Sequence, residues 1–119
     1  MAYQYRQNRR RKYGNRKVNF DGRTFDSKKE AERYRVLKSM QELGIISDLQ
    51  LQQKFILIPA QRIEGKLIER ECSYYADFCY VDNETGRTIV EDTKGVKTEV
   101  YKIKRKLMLW RYGIQIKET

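Results

Sequence analysis

Two aspartates and a lysine in the segment YADFCYVDNETGRTIVEDTKG, residues 75–95, have the types and spacing of a metal site. Asp77 and Asp92 lie on the two sides of a predicted β-hairpin, and Lys94 follows the second aspartate by two residues. Because side chains alternate along a strand, Asp92 and Lys94 share one face and Glu91 points to the other. Pairing about a turn at residues 83–86 predicts that the two aspartates are cross-strand neighbours.

Two carboxylates that face each other in a sheet repel, and burial makes at least one of them resist ionisation. A divalent cation such as Mg²⁺ or Mn²⁺ removes this conflict, because such cations prefer carboxylate oxygens. The metal would lower the pKa of a bound water, and Lys94 would orient that water or stabilise the transition state at a phosphate. The alternative is structural: Asp92 and Lys94 form an exposed ion pair at a strand end, and Asp77 faces water.

The composition favours an anionic partner. The chain has 119 residues, enough for one compact domain, and 26 Lys and Arg against 16 Asp and Glu give a net charge of +10. Such a charge suits nucleic acid and, less often, an anionic membrane surface. No segment approaches the roughly 20 apolar residues of a membrane span, and no secretory signal is evident, so we expect no membrane partner and a cytoplasmic location.

Histidine is absent, which removes most catalytic triads and leaves carboxylates, lysine, tyrosine or a metal for any catalysis. Cys72 and Cys79 lie seven residues apart on one predicted strand, so they point to opposite faces about 23 Å apart and cannot bridge each other. Two cysteines without histidine also make no zinc site. Both are expected to be packing residues in a reducing compartment.

Residues 1–19 form a basic segment with seven Lys and Arg and no acid. It is either a disordered solubilising tail or a flexible arm that lies along phosphates. The charge of the whole chain favours the arm, which makes four of its residues candidate DNA contacts: Arg9, Arg10, Arg11 and Lys12. Residues 20–119 are predicted to form the folded domain.

Two helices are predicted. The first runs from about Lys28 to Leu43 with Ser27 as its N-cap and Glu30 as the acid of a capping box. Its apolar spacing predicts a buried stripe of Ala31, Tyr34, Leu37, Met40 (or Gln41) and Leu43. The second runs from about Glu99 to Tyr112 and ends at Gly113. One side of it carries Val100, Ile103, Leu107 and Trp110, and the other sides carry Lys102, Lys104, Arg105, Lys106 and Arg111. Tyr101 and Trp110 are expected in the core or at its rim rather than as base-stacking residues.

The remaining segments read as strands. One strand is centred on Phe55–Ile58, and a Glu64-Gly65 turn after it indicates a hairpin. A long strand spans about Leu67 to Val81, another spans Thr88 to Asp92, and IQIKE forms the last strand. The main elements follow the order α-β-β-β-α-β. This order predicts one α/β or α+β layered domain.

An acid on one strand followed by Asp-any residue-Lys on its hairpin partner resembles the PD-(D/E)XK nuclease superfamily, whose core has the same αβββαβ order. The matching segments are YAD, with Ala76 where that pattern has proline, and DTK. Together with FDSKKEAERY and VEDTKG they also resemble a small phage and prophage family grouped with these nucleases. The resemblance covers about residues 18–118. It implies a restriction-endonuclease-like fold with a mixed central sheet flanked by helices.

The same resemblance implies a Mg²⁺- or Mn²⁺-dependent phosphodiester hydrolase without a small-molecule cofactor. Asp77, Asp92 and the carbonyl of Thr93 would bind the metal, and Lys94 would position the attacking water. Glu30 would add a further metal contact, or act only as the acid of the capping box. Glu91 replaces Asp92 if the strand is bulged. Four residues near the second helix would bind DNA phosphates: Lys97, Lys102, Lys104 and Arg105.

Three functions follow from these observations. The first is a phage-type DNA endonuclease in a bacterial host, acting on branched recombination or replication intermediates as a homodimer that pairs through a sheet edge or the first helix. The second is a non-catalytic DNA-binding module that keeps the nuclease fold. The third, an RNA-binding or ribosome-associated protein, is disfavoured because two acids near the phosphate track would repel RNA.

Overall fold

The computed structural model describes residues 16–119, which form eight strands and two helices. The helices are α1 (Lys28–Glu42) and α2 (Glu99–Tyr112). The strands are β1 (Val18–Phe20), β2 (Arg23–Phe25), β3 (Ile46–Ile58), β4 (Gln61–Ile63), β5 (Lys66–Glu69), β6 (Cys72–Asp82), β7 (Thr88–Asp92) and β8 (Lys117–Glu118). β1 begins within the range assigned to the basic arm.

The main sheet has the strand order β3-β6-β7-β8. β3, β6 and β7 pair antiparallel, and β8 returns through α2 to pair parallel with β7. The small hairpins β1-β2 and β4-β5 lie outside this sheet. The predicted α+β fold with a mixed sheet and two helices is confirmed, and its main elements follow the order α1-β3-β6-β7-α2-β8.

α1 begins where the sequence predicts. The side chain of Ser27 accepts a hydrogen bond from the backbone N–H of Glu30, which caps the helix. Ala31, Tyr34 and Leu37 are buried in a core cluster that covers one part of the sheet. The prediction of a buried Leu43 is wrong: Leu43 is the C-cap and its side chain is 76% exposed. The helical periodicity ends at Glu42, so Leu43 no longer follows the buried face.

α2 has the predicted length, but its predicted apolar side is not the side that packs on the sheet. Tyr101 and Met108 are buried there, whereas Val100 and Ile103 are mostly exposed and Trp110 is 80% exposed. Both sides have helical spacing, so periodicity alone does not select between them. Burial of the polar residue Tyr101 is possible because its hydroxyl donates to the carboxylate of Glu118 at 2.6 Å.

Two strand boundaries differ from the prediction. β3 begins at Ile46, because half-buried residues alternate along a segment whose exposed positions are polar. The predicted strand from Leu67 to Val81 divides into β5 and β6, which leaves residues 70–71 between the hairpin and the sheet. The predicted hairpin turn at Glu64-Gly65 is confirmed, and both residues have positive φ, as a tight two-residue turn requires.

The two cysteines are free and partly buried on β6, as predicted. Within residues 16–119, neither helix is long and apolar enough to cross a membrane.

Candidate functional site

A cleft of about 620 Å³ opens where α1 begins, where β7 ends and where the following loop leads into α2. The four residues predicted to be catalytic, Glu30, Asp77, Asp92 and Lys94, all line it. Its other lining residues are Asp26, Ser27, Thr93, Gly95, Val96 and Thr98. The αβββαβ order thus brings together residues that are up to 64 positions apart in the sequence.

Asp77 and Asp92 meet across the β6-β7 hairpin. The ladder ends with Phe78 opposite Glu91, so the next positions in this register are residues 77 and 92. The backbone N–H of Thr93 donates to Asp77 Oδ2 at 2.8 Å. Burial of the Asp77 carboxyl, and to a smaller extent its hydrogen bonding with the Asp92 carboxyl, raises the pKa of Asp77 to about 8. The predicted conflict between two neighbouring carboxyl groups is therefore present.

Asp92 is only 2% exposed, and besides Asp77 its carboxyl group has two further partners. The hydroxyl of Tyr74 donates to Asp92 Oδ2 at 2.5 Å, and the ammonium of Lys94 lies 3.4 Å from the same oxygen. Burial of the Tyr74 hydroxyl, then its hydrogen bond to Asp92, raises the pKa of Tyr74. Tyr74 thus remains a neutral donor that fixes one oxygen of Asp92.

Lys94 extends over a second group as well. Its ammonium lies 4.4 Å from the centre of the Tyr101 ring, within the range of a cation–π contact. The side chain of Lys94 is 27% exposed, so it is held between Asp92 and α2 at the edge of the cleft. This placement agrees with the prediction that Asp92 and Lys94 share a face, and the alternative of a solvent-exposed pair at a strand end does not describe Asp92.

Glu30 approaches the same cleft from the first turn of α1 and is 7% exposed. Burial raises the pKa of Glu30, and the negative charges of Asp26 and Asp92 add to this shift. Its backbone N–H donates to the Ser27 side chain, and a hydrogen bond from the backbone of Asp26 to the carboxyl partly offsets the rise in its pKa. Asp26, one position before the cap, is a further acid of the cleft that the sequence analysis did not single out.

The cleft residues offer carboxyl oxygens, which are the ligands that a hard divalent cation prefers. In the part of the chain from residue 16 onwards, no three acidic or cysteine side chains converge at ligand distance. The side-chain donors that do meet are the carboxyl groups of Asp77 and Asp92, with Glu30 on the facing wall. The pKa of Asp77 is near 8 because its carboxyl is largely desolvated and lies beside that of Asp92. A bound cation would reduce the repulsion between the two groups.

Glu91 does not replace Asp92 at this site. It is fully buried on the other face of β7, where Arg33 of α1 donates to its two carboxylate oxygens at 2.6 and 2.8 Å. The hydroxyl of Tyr80 also donates to Glu91, at 2.5 Å. Burial opposes ionisation of Glu91, but the hydrogen bonds from Arg33 and Tyr80 outweigh it and lower the pKa of Glu91. The bidentate pair ties α1 to β7, and it thereby fixes Glu30 relative to Asp92.

We expect Glu91→Gln to lower the free energy of unfolding by about 2 kcal/mol, because Arg33 loses a bidentate partner. Because the folded-state pKa of Glu91 is lowered, the carboxylate stabilises the protein above its ordinary pKa of 4.5, and this contribution is lost as the pH falls below it. Urea unfolding of the wild type and Glu91→Gln at pH 7 and pH 4 measures the difference in their free energies of unfolding. The exposed Glu69→Gln is the matched control, and an equally small cost for both variants would contradict the prediction.

Gln52 is a residue of the site that the sequence analysis missed. Its side-chain amide donates to Asp77 Oδ1 at 3.3 Å, so both carboxyl oxygens of Asp77 have a donor. Gln52 has φ of 53°, a left-handed conformation that is uncommon for residues other than glycine. In the β3-β6 register Gln52 lies opposite Asp77, between the pairs Leu51–Phe78 and Gln53–Ala76. Local strain next to a candidate site is typical of functional positions, but no sequence signal marks it.

We expect Gln52→Gly to leave the protein as stable as the wild type or up to about 1 kcal/mol more stable, because glycine adopts positive φ without strain. The same change should lower the activity proposed below about fivefold to tenfold, since Asp77 loses one of its two donors. Thermal unfolding and single-turnover rates measure the two effects. Asp48→Gly is the matched control, because Asp48 lies on the same strand with φ of 57°. Equal rates for both variants would contradict a role for the Gln52 amide.

The candidate DNA-binding residues divide into three groups. Arg9, Arg10, Arg11 and Lys12 lie outside the described residues. Lys97 and Arg105 both form ion pairs with Glu118 at 2.9 Å, and hydrogen bonds from Tyr101 and then Lys97 lower the pKa of Glu118 to about 2. Lys102 pairs with Glu99 at 3.4 Å on the helix surface, and no ion pair within residues 16–119 involves Lys104.

Comparison with known proteins gives one match. The model of a family described as "Protein of unknown function (DUF1064)" matches residues 10–119. No curated protein matches the chain. No solved structure matches it either.

Proposed function

The chain belongs to the DUF1064 family, and we propose that it is a metal-dependent endodeoxyribonuclease. The observation that carries the proposal is the cleft in which Asp77, Asp92, Lys94 and Glu30 meet. These are the residues that the resemblance to PD-(D/E)XK nucleases singles out in the sequence. A basic domain with an αβββαβ order, in which the half-buried Asp77 carboxyl lies beside the buried Asp92 carboxyl, supports this proposal over a purely structural role.

Asp77 and Asp92 would hold Mg²⁺ or Mn²⁺, with Glu30 and the carbonyl of Thr93 as further oxygen donors. When bound, the cation supplies Lewis-acid stabilisation of the scissile phosphate and a more acidic water. The protein orients these ligands in advance: Gln52 and the Thr93 N–H fix Asp77, and Tyr74 fixes Asp92. Such preorganisation reduces the rearrangement that the reaction would otherwise require.

Lys94 would act on the attacking water and on the phosphate. An ammonium group only donates hydrogen bonds, so it can orient a water through the water's oxygen and stabilise negative charge that grows on phosphate oxygens. Its position between Asp92 and the Tyr101 ring restricts its rotation and keeps it at the edge of the cleft.

The net charge of +10 would hold DNA mainly through phosphates. Lys102 and Lys104 on α2 are placed to contribute, whereas Lys97 and Arg105 are partly neutralised by Glu118. Residues 16–119 place the four candidate catalytic residues in a single cleft, so cutting both strands of a branched intermediate would require two copies. The long edge strand β3 and the helix α1 are the candidate pairing surfaces. We place this activity in the bacterial cytoplasm, on phage or prophage DNA.

Cleavage of labelled DNA tests the proposal. The substrates are a duplex, a single strand, a flap and a four-way junction, each with Mg²⁺, Mn²⁺, Ca²⁺ or EDTA. We expect cutting of at least one branched substrate with Mg²⁺ or Mn²⁺ and none with EDTA. Salt-sensitive binding that is unchanged by Mg²⁺, with no cutting of any substrate, would instead identify a non-catalytic DNA-binding module.

A further inference from the structure

The side of α2 that faces away from the sheet carries an apolar stripe. Val100, Ile103, Leu107 and Trp110 follow one another at intervals of three, four and three residues, so they lie along one side of the helix, and Val96 lies in the loop that leads into it. We call these five residues the outer stripe. Their exposed fractions are 79% for Val96, 62% for Val100, 57% for Ile103 and 80% for Trp110, while Leu107 is partly buried.

Exposure of this surface is unfavourable for a protein that acts alone. A large ring and several branched aliphatic side chains together expose several hundred Å² of apolar area, about as much as the largest apolar patch on a typical monomer, and such patches commonly bind a partner. The opposite side of α2 already supplies the packing that holds the helix, through Tyr101 and Met108. Within the outer stripe Leu107 also packs against this core cluster, and the four exposed residues are not needed to hold the helix on the sheet.

The charges beside the outer stripe indicate an anionic occupant. Four basic side chains of α2 surround it: Lys102, Lys104, Lys106 and Arg111. Glu99 is the one acid within the helix. A second copy of α2 against this surface would bring two sets of basic side chains together, and like charges at such positions disfavour pairing.

The position of the stripe connects it to the cleft. Val96, its first residue, lines the cleft beside Asp77 and Asp92. The helical part of the stripe then extends from Val100 to Trp110 over about 15 Å at helical rise. Proteins use single-strand binding sites that begin at about four nucleotides, so a surface of this length is long enough for a short strand.

We propose that the outer stripe binds an unpaired DNA strand that leads to or from the cleft, with bases on the apolar residues and phosphates on the basic side chains. The proposal rests on the proposed function, since it takes DNA to be the substrate. An unpaired strand fits better than a duplex, because a duplex presents phosphates outward and keeps its base faces stacked inside. Exposed bases, in contrast, stack on aromatic side chains such as Trp110 and cover apolar surface. The stripe would thus select flaps and opened junctions.

Trp110 is the only tryptophan of the chain, so its fluorescence reports directly on this surface. We would titrate the full chain, in EDTA so that no strand is cut, with a short oligothymidylate and with a blunt duplex that has no unpaired bases. We expect the oligothymidylate to quench the emission at low salt and the duplex to leave it nearly unchanged. Equal quenching by both, or none by either, would overturn the proposal.

Anisotropy of a labelled oligothymidylate tests the neighbouring residues. Ile103→Ser should weaken binding of the unpaired strand at least tenfold and change duplex binding less than twofold. The matched control is Val36→Ser on α1, a 46% exposed aliphatic residue away from the stripe, which should change neither affinity. Circular dichroism confirms that each variant is folded. An Ile103→Ser protein that binds both DNAs like the wild type would contradict the proposal.

Other occupants give different outcomes. A blue shift of Trp110 emission that grows with protein concentration, without DNA, would indicate a second copy. A blue shift with vesicles of phosphatidylglycerol, and no response to oligothymidylate, would indicate a membrane surface. Either result overturns the proposal. Because the titration needs no cutting, strand binding without cleavage refutes the proposed enzyme alone, and cleavage without Trp110 quenching refutes this surface alone.

Discussion

Lys94→Ala is expected to lower the rate of DNA cleavage about 10²–10³-fold while DNA affinity changes less than about threefold. The loss has the size seen when one preorganised donor is removed from a developing negative charge. Affinity changes little because one charge of many contributes to phosphate binding. Single-turnover cleavage at saturating protein separates the two effects, because it measures the chemical step with all DNA bound.

Lys28→Ala is the matched control for this variant. Lys28 begins α1 and is exposed, so the control loses the same charge without changing the cleft lining. We expect it to cut at nearly the wild-type rate. Lys94→Arg keeps the charge but not the compact ammonium, and it should recover only part of the activity. If Lys94→Ala cuts as fast as Lys28→Ala, Lys94 is not catalytic and its contacts with Asp92 and Tyr101 are structural.

The parts of the site that could be predicted are those set by short-range rules. Alternation along a strand separates Glu91 from Asp92, and the hairpin turn sets the register that brings residues 77 and 92 together. The N-cap at Ser27 fixes where α1 begins and therefore where Glu30 lies. Each of these three features can be predicted from one short segment of the chain and the standard geometry of a strand, a hairpin or a helix end.

The parts that could not be predicted depend on contacts between distant segments. Arg33 and Glu91 are 58 positions apart, and no sequence pattern in either segment predicts that the two residues pair. The left-handed backbone of Gln52, which lies opposite Asp77 in the β3-β6 register, is not marked by any local sequence pattern either. The sequence does not fix the orientation of α2 for a related reason: two of its sides are apolar, and the sheet buries the one with Tyr101 and Met108.

The outer stripe and the cleft also clarify why α2 is apolar on two sides. A helix that only covers the sheet needs one apolar stripe and a solvated polar side. The inner side of α2 positions Tyr101, whose ring contacts Lys94. The outer side continues the apolar surface that begins at Val96, a residue of the cleft lining. The same helix would thus position the catalytic lysine and bind substrate, so a change in one side is expected to affect cleavage through the other.

Asp77→Asn is expected to abolish cleavage and to make the metal-free protein more stable at pH 8, by about 2 kcal/mol after allowance for solvent screening. Burial and the neighbouring Asp92 raise the folded-state pKa of Asp77 to about 8, above its ordinary value of 3.8. The folded protein therefore binds this proton more tightly than the unfolded chain does. The resulting stability is fully present below about pH 4 and is lost as the pH rises towards 8.

Asparagine has the same shape but does not titrate, so the variant and the wild type should differ little at pH 5 and most at pH 8. Thermal unfolding in EDTA across this range measures the difference, and Asp48→Asn on the exposed side of β3 is the matched control. Added Mg²⁺ should raise the unfolding temperature of the wild type at pH 8 and have little effect on Asp77→Asn, because a ligand stabilises only the protein that binds it. Parallel pH profiles for the two proteins would show that Asp77 is already compensated in the metal-free fold. In that case the two aspartates would not need a cation to coexist, and the argument for a metal site would lose its electrostatic basis.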